Sequence, residues 1–388
     1  MGHRRAAIVG AGHTRFGVLP EGPRALLRQS VDGAFESIDR GMERSEIGEA
    51  FLGTLGISGW QLGNVSAVLA EEARIPSVPV TRIENACASA GFALRAGIRA
   101  IESGSRDVVL VAGLEKMTDS TSARRRYWLG VSGDTEWERM AGLTFAGVYG
   151  LMASAHLREH GTPREALAEV AAKNHAHALL NPNAHFHKRI TREEALSAPL
   201  VADPLRLFDC CPVSDGAASL ILAGEDVASR FTDTPVWVAG DGAGSDALAL
   251  QDRASMCRLA ATRTAAAEAF KRAGIARADV DFLELHDCFT IAELMALEDL
   301  GFAEPGGAAE LTLTGATRLG GALPVNPDGG LKAKGHPIGA TGASQAYEAF
   351  VQLRGKAGER QVRGAETALT HNVGGSGASA TVTVFTVG

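Results

Sequence analysis

The chain has 388 residues, of which 45% are apolar and 21% are charged, and its net charge is −7. This length accommodates two or three domains, and the acidic balance argues against a nucleic-acid partner, which usually leaves a basic footprint. No apolar run approaches the ~18 residues of a membrane-spanning helix, and five cysteines without framework spacing favour a reducing compartment. We therefore expect a cytoplasmic protein without a membrane partner.

The order of predicted strands and helices occurs twice along the chain. Each half opens with a strand-like run, continues through an Ala-rich amphipathic stretch and a short strand, and reaches a helix of small residues. The paired segments are 6–12 with 236–242, 24–40 with 254–273, 50–55 with 281–285, 87–103 with 338–353, 107–113 with 366–370, and 217–223 with 380–385. Alternating strands and helices predict an α/β protein, and the repetition predicts two similar halves about a pseudo-twofold axis.

The predicted domains follow from this duplication. The N-terminal half comprises 1–113 and 201–228, the C-terminal half comprises 235–388, and 114–200 form an inserted loop domain. Inserted loops usually carry substrate specificity. The basic cluster at 124–126 is either a phosphate site or a solvated loop, and both readings stay open.

A cysteine at the start of the first small-residue helix is the main chemical signal. Cys87 precedes an apolar helix, and the positive end and free N–H groups of a helix N-terminus favour a nucleophilic thiolate. The C-terminal half contributes His336, Cys288 and a Gly-rich turn at 371–377. These residues predict covalent catalysis by Cys87. The alternatives of a buried capping thiol at Cys87, a core imidazole at His336 and a buried thiol at Cys288 stay open.

Other patterns favour structural roles. The third glycine of a dinucleotide motif is missing after Gly10 and Gly12, because Arg15 stands in its place. The histidines at 175, 177, 185 and 187 lack partners at zinc-site spacing, so we expect surface or interface histidines and no metal. Three further cysteines are expected to be small core residues: Cys210, Cys211 and Cys257.

Seven motifs in order resemble the thiolase superfamily, and the resemblance covers nearly the whole chain. They are NACAS at 85–89, GLEKM at 113–117, KNH at 173–175, CCPVSDGAA at 210–218, ELHDCF at 284–289, GHPIGATG at 335–342 and HNVG at 371–374. The chain is most similar to the sterol-carrier-protein type, without the sterol-carrier domain. The resemblance implies two βαβαβαββ halves in α/β/α/β/α layers. It also implies an acyltransferase that cleaves 3-oxoacyl-CoA with CoA, or condenses acyl-CoAs, in lipid metabolism and fatty acid degradation. CoA is then a substrate, and no cofactor is expected.

The resemblance also implies roles for particular residues. Common thiolases carry a second cysteine in a C-terminal Cys-x-Gly turn, where this chain has Asn372, and an Asn-Glu-Ala-Phe loop, where it has HDCF at 286–289. Cys288 therefore replaces the missing acid/base thiol, and His286 joins His336 in an oxyanion hole.

A second oxyanion hole is expected from the backbone N–H groups of Cys87 and Gly374. His371 and Asn372 are expected to support the site as hydrogen-bond partners.

The resemblance further implies a homodimer or tetramer and leaves other functions open. His371 and Asn372 keep open a ketoacyl-synthase-like condensing enzyme. A thiolase-like retro-aldolase with a small accessory subunit is a second alternative, although the intact Cys87 argues against it. A non-catalytic lipid-transfer or scaffold protein is a third, and the three intact reactive residues argue against that one.

Overall fold

The computed structural model describes residues 4–56 and 59–388. The first half contains β1 (Ala6–His13), α1 (Pro23–Glu36), β2 (Glu49–Gly53), α2 (Val65–Glu72), β3 (Val80–Ile83), α3 (Ser89–Glu102) and β4 (Val108–Glu115). The inserted region follows, with α4 (Ser122–Gly130), α5 (Phe145–His160), α6 (Arg164–Ala178), α7 (Arg192–Ser197), β5 (Leu200–Ala202) and β6 (Leu205–Arg206). The chain then returns to the first half with β7 (Gly216–Gly224) and α8 (Glu225–Ala228).

The second half repeats the order of the first. Its elements are β8 (Val236–Ser245), α9 (Ala260–Ala273), β9 (Phe282–Glu284), α10 (Thr290–Asp299), α11 (Ala308–Leu313), α12 (Thr341–Leu353), β10 (Thr367–Gly374) and β11 (Ser379–Thr386), with a π-helical turn at Gly330–Lys334. All six predicted pairs of segments form matching elements. In the described ranges, no helix combines the length and the apolar character that crossing a membrane requires.

The strands form one sheet of nine, in the order β3-β2-β4-β7-β1-β8-β11-β10-β9. The two halves join where β1 pairs with β8, through the pairs Ala7–Trp237 and Ile8–Val236. The predicted second βαβαβαββ unit is incomplete within the described residues, because the counterpart of β3 is a single bridge between Leu283 and Val325. Prolines at 324 and 327 flank this bridge, and proline has no N–H for a longer ladder.

The predicted five layers are confirmed. Helix α1 packs on β1 and β7, and α9 packs on β8 and β11. Helices α3 and α12 contact each other, with α3 on β2 and β4 and α12 on β10 and β7. The two central helices therefore lie between the two parts of the sheet, and each outer face carries further helices.

Glycines allow the central helices to cross closely. A Cβ atom on Gly91 of α3 would lie 2.3 Å from Thr381 Oγ1, and one on Gly342 of α12 would lie 2.3 Å from the Gly91 nitrogen. Both distances are far below a normal van der Waals contact, so only glycine fits at this crossing. The small-residue composition of the two helices is thus explained by packing.

Two of the four histidines predicted at a surface or an interface are buried between the inserted region and the second half. His175 and His177 are buried on α6, where their Nδ1 atoms hydrogen-bond the carbonyl oxygens of Lys188 and Asn326. Helix α6 contacts α10, α11 and the π-helical turn, so it is covered on most sides. These side chains hold the inserted region against the second half.

Candidate active site

Three loops bring the predicted reactive residues to one cavity. Cys87 precedes α3, Cys288 follows β9, and His336 lies between the π-helical turn and α12. All three line a cavity of about 390 Å³, whose other walls include α4 and α5 of the inserted region. The cavity is therefore assembled from both halves and the insertion.

A tight turn presents Cys87 to the cavity. Ala86 has φ +50°, in the left-handed region, and its N–H donates to Glu84 Oε1 at 2.6 Å. The Ser89 hydroxyl donates to the Ala86 carbonyl at 2.6 Å, which fixes the other side of the turn. The Gly375 N–H hydrogen-bonds the Cys87 sulfur from the facing loop. The sulfur is thus held between the two halves, one residue before the N-cap of α3.

The resting thiol is neutral, which differs from the expected thiolate. Burial raises the pKa of Cys87 to about 12, and the nearby Cys211 thiol acts in the same direction. Burial lowers the pKa of His336 to about 3, and the Lys334 ammonium adds to this effect. Burial therefore favours the neutral thiol of Cys87 and the neutral imidazole of His336.

Hydrogen bonds fix the neutral tautomer of His336. Its Nδ1 lies 2.7 Å from Thr341 Oγ1, and that hydroxyl donates its one hydrogen to the Pro337 carbonyl at 3.1 Å. Because the hydroxyl can then only accept from the ring, His336 Nδ1 carries the proton and donates it. Its Nε2 keeps a free lone pair and is available as a base toward Cys87.

His286 has the opposite tautomer. The Asn372 amide nitrogen donates to His286 Nδ1 at 3.1 Å and to the Cys87 carbonyl at 3.1 Å, while its oxygen accepts from the Gly91 N–H at 3.2 Å. His286 Nδ1 is therefore an acceptor and Nε2 carries the proton. Nε2 is buried without a hydrogen-bond partner among the described residues. Its N–H is therefore free to donate to an oxyanion.

The donor atoms of Cys87, His286 and His336 lie within 4.8 Å of one another. Sulfur and imidazole are zinc ligands, so this cluster is also a candidate metal centre. Ligation through His286 Nε2 would move its proton to Nδ1, which faces the Asn372 amide donor. The hydrogen bonding around His286 therefore favours an N–H donor over a metal ligand.

Cys288 lies in the wall of the same cavity. Burial raises its pKa, and its carbonyl accepts from the Cys211 N–H at 3.0 Å. Cys210 and Cys211 were predicted to be small core residues, but they line the cavity beside Cys288. The segment before β7 therefore forms a wall of the site.

Asp287 ties the two C-terminal loops together. Its buried carboxyl group accepts from the N–H groups of Leu331 at 2.6 Å and Lys332 at 3.2 Å, in the π-helical turn that leads to His336. Asn174 of α6 donates to it at 2.6 Å. Burial, reinforced by Glu293, raises the pKa of Asp287 to about 7. Its carboxyl group thereby joins the two loops and helix α6.

Two predicted residues lie differently from expectation. The His371 ring bonds Thr262 of α9 at 2.8 Å, on the opposite face of β10 from Asn372, so it is outside the cavity. Gly375, rather than Gly374, lines the cavity and reaches the Cys87 sulfur. Gly374 as an oxyanion donor stays a prediction.

Sequence reasoning missed three kinds of site residue. Thr341 lies inside the GHPIGATG motif, so the motif contained a usable signal. Arg126 and Arg139 line the cavity, and only the first belongs to the basic cluster noted in the sequence. Tyr149 lines it as well, from an otherwise apolar face of α5 that carries no motif.

Two family models cover most of the chain. Residues 6–226 match the thiolase N-terminal domain, and residues 242–387 match the thiolase C-terminal domain-like family. The chain belongs to the thiolase family. This thiolase-family acyltransferase is 44% identical to the acetyl-CoA acetyltransferase of Methanothermobacter thermautotrophicus, over 98% of this chain and 99% of the relative. It is 34% identical to sterol carrier protein 2 of Gallus gallus, over 99% of this chain and 72% of that relative.

Solved structures share the thiolase fold. The Ltp2-ChsH2(DUF35) aldolase matches with a TM-score of 0.85 at 23% identity, over 99% of this chain and 98% of that one. Human mitochondrial 3-ketoacyl-CoA thiolase matches with a TM-score of 0.76 at 17% identity, over 99% of both chains. At these identities the likeness shows the fold alone.

Proposed function

We propose that this enzyme transfers acyl groups between CoA thiols through an acyl-Cys87 intermediate, cleaving 3-oxoacyl-CoA or running the reverse condensation. The observation that carries the proposal is the single cavity lined by Cys87, Cys288 and His336. A nucleophile, a base with a free lone pair and a second thiol are the three groups that this chemistry needs. The 44% identity with a named acetyl-CoA acetyltransferase supports the same assignment.

In the cleavage direction, the first step makes the covalent intermediate. The Cys87 proton passes to His336 Nε2, and the sulfur electron pair attacks C3 of the 3-oxoacyl-CoA. The bond between C3 and the α-carbon then breaks, and its electrons form the enolate of acetyl-CoA. His286 Nε2–H and the His336 imidazolium donate to the enolate oxygen, and each such donor is typically worth about 3 kcal/mol.

The second step resets the protons. Cys288 gives its S–H proton to the enolate carbon, and the His336 imidazolium returns a proton to the resulting thiolate. A CoA thiol then attacks the acyl group, His336 accepts its proton, and this proton goes to Cys87 as the acyl group leaves. The backbone N–H groups of Cys87 and Gly374 are proposed to hold the tetrahedral oxygen. All protons and sulfur atoms are restored at the end of the cycle.

The inserted region is proposed to bind CoA. Apolar side chains of α4 and α5, among them Leu129 and Phe145, line the cavity and suit the pantetheine arm. Arg126 and Arg139 line the same cavity and supply positive charge for the phosphates. An Arg126→Ala variant is expected to raise the KM for CoA more than it lowers kcat.

A homodimer is proposed from the edge of the sheet. β3 pairs only with β2 among the described residues, and its side chains are half-buried or exposed. A second copy that pairs with this edge would satisfy its free backbone groups. Light scattering is expected to give twice the 40.4 kDa mass of one chain or more. A clean monomer at micromolar concentration would contradict the dimer.

Intact-mass spectrometry tests the proposed function. Wild-type protein incubated with acetyl-CoA is expected to gain one acetyl group, and Cys87→Ala is expected to gain none while keeping its fold. Cys210→Ala is the matched control, because Cys210 lines the same cavity and has no assigned step. An adduct that persists in Cys87→Ala would place the nucleophile elsewhere, and an unmodified wild-type protein would refute the acyl-enzyme mechanism.

A further inference from the structure

Tyr149 is a buried polar group at the cavity that the steps above leave without a task. It lies on α5 in the inserted region, 1% exposed, and its ring stacks on Phe289 at a centroid distance of 4.6 Å. Phe289 directly follows Cys288, so the stacking fixes the tyrosine beside the second thiol. Both Tyr149 and Cys288 line the cavity.

The Tyr149 hydroxyl lies near both Cys288 and the loop that contacts Cys87. It donates to the Gly375 carbonyl at 3.2 Å, and the N–H of the same Gly375 hydrogen-bonds the Cys87 sulfur. The Cys288 thiol lies next to this hydroxyl and raises its pKa. One side chain of the insertion therefore lies between the second thiol and the loop that holds the first.

We propose that Tyr149 is a positioning residue for the carbon–carbon step, because its hydroxyl donates to the Cys288 thiolate that forms when Cys288 protonates the enolate carbon. This inference rests on the proposed function. In the resting site the hydroxyl hydrogen is directed to the Gly375 carbonyl. Once the S–H bond breaks, rotation about the C–O bond turns the same hydrogen to the thiolate. No atom is gained or lost, and the tyrosine itself keeps its proton.

Electrostatics agree with this assignment. Burial raises the pKa of Tyr149 well above its ordinary value, with the Cys288 thiol adding to the effect, so the hydroxyl stays protonated. Burial raises the pKa of Cys288, and the neighbouring Tyr149 hydroxyl opposes that rise. Hydrogen bonds to a charged partner are stronger than neutral ones, so the bond gains strength as the thiolate forms.

The test compares Tyr149→Phe with wild type in two half-reactions. The variant keeps the ring that stacks on Phe289 and loses only the hydroxyl. Exchange of the acetyl-CoA α-protons with deuterated water is expected to fall by about 10- to 100-fold more than the rate of Cys87 acetylation, the range for a lost hydrogen bond to a charged group. The rising limb of the exchange profile should move to higher pH, because the Cys288 thiolate removes the α-proton and this thiolate loses a stabilising donor.

Tyr347→Phe is the matched control, since Tyr347 lies on α12 against His13 and away from the cavity. A second measurement is the pH dependence of Cys288 alkylation in wild type and Tyr149→Phe, which requires no turnover. Equal loss in both half-reactions, or an exchange profile and an alkylation profile that do not shift, would overturn the positioning role. Wild-type protein without exchange would instead overturn the proposed function, and this inference with it.

Discussion

The two halves share one scaffold and carry different chemistry on it. In the first half, the loop before the central helix presents Cys87; in the second half, the corresponding loop presents His336. The loops after the parallel strands differ as well. In the first half, the N–H groups of Leu55 and Gly56 donate to Glu115 at 3.0 and 2.9 Å, whereas in the second half this position holds the 286–288 segment. A duplicated backbone has thus placed Cys87 on one side and His336 and Cys288 on the other.

The two edges of the sheet also differ between the halves. The first half ends in the four-residue strand β3, and the second half has only the Leu283–Val325 bridge at the equivalent place. The second half uses the chain around residue 326 for another purpose. The Asn326 carbonyl accepts from His177 Nδ1 of α6, which anchors the inserted region, and the Asn326 side-chain amide donates to Glu293 of α10. One sheet edge is the short strand β3, and the chain at the other edge supports the site.

The largest expected effect comes from removing the second thiol. Cys288→Ala is expected to lower 3-oxoacyl-CoA cleavage by about 10²–10⁴-fold, the usual cost of a lost acid/base group. Acetylation of Cys87 moves no α-proton, so it should proceed in this variant. Cleavage assays and intact-mass spectrometry measure the two steps separately. If cleavage stays near the wild-type rate, Cys288 is not the group that protonates the enolate carbon.

The protonation state of Cys87 gives the next largest effect. Since burial raises its pKa to about 12, the thiolate fraction, and with it the rate of alkylation by iodoacetamide, should rise about tenfold per unit between pH 7 and pH 10. Peptide mass spectrometry follows Cys87 against the other four cysteines. His336→Ala should leave this slope in place, because the imidazole is neutral over the whole range. If the alkylation rate of Cys87 instead reaches a plateau above pH 8, His336 has already taken the Cys87 proton in the resting site.

The sequence predicted the scaffold and the meeting of the three candidate residues, for identifiable reasons. The duplication is visible in the order and periodicity of the predicted strands and helices. Each paired segment could therefore be assigned from the sequence without any knowledge of tertiary contacts. Cys87, Cys288 and His336 lie inside motifs, and the three were predicted to meet. The structure confirms that they line one cavity.

The features that sequence did not predict depend on what packs over them. The neutral state of Cys87 is a desolvation effect, and desolvation is set by the inserted region that covers the cavity. The bond from Tyr149 to Gly375 joins residues 226 positions apart, so no local pattern records it. The separation of His371 from Asn372 follows from strand alternation, which puts adjacent side chains on opposite faces.

The smallest expected effect concerns the contact between the halves. Gly91→Ala would place a Cβ 2.3 Å from Thr381 Oγ1 of β11 and 2.8 Å from Asn372 Oδ1 of β10. Because both neighbours are buried and the Asn372 amide is held by Cys87 and His286, we expect the free energy of unfolding to fall by about 1–3 kcal/mol, the usual cost of overpacking. Denaturant unfolding followed by circular dichroism measures this change.

Gly33→Ala in α1 is the matched control, because a Cβ there meets only Gly12 Cα, at an ordinary 3.5 Å. Replacing glycine inside a helix lowers the entropy of the unfolded chain, so this variant should gain about 0.5–1 kcal/mol. Opposite signs for the two glycines would show that the close crossing, and not helix propensity, requires Gly91. If Gly91→Ala unfolds at the same denaturant concentration as wild type, the two halves are not packed as tightly as the structure indicates. In that case the Asn372 bonds to Gly91 and Cys87 would lose their rigid support, and the fixed tautomer of His286 would lose its physical basis.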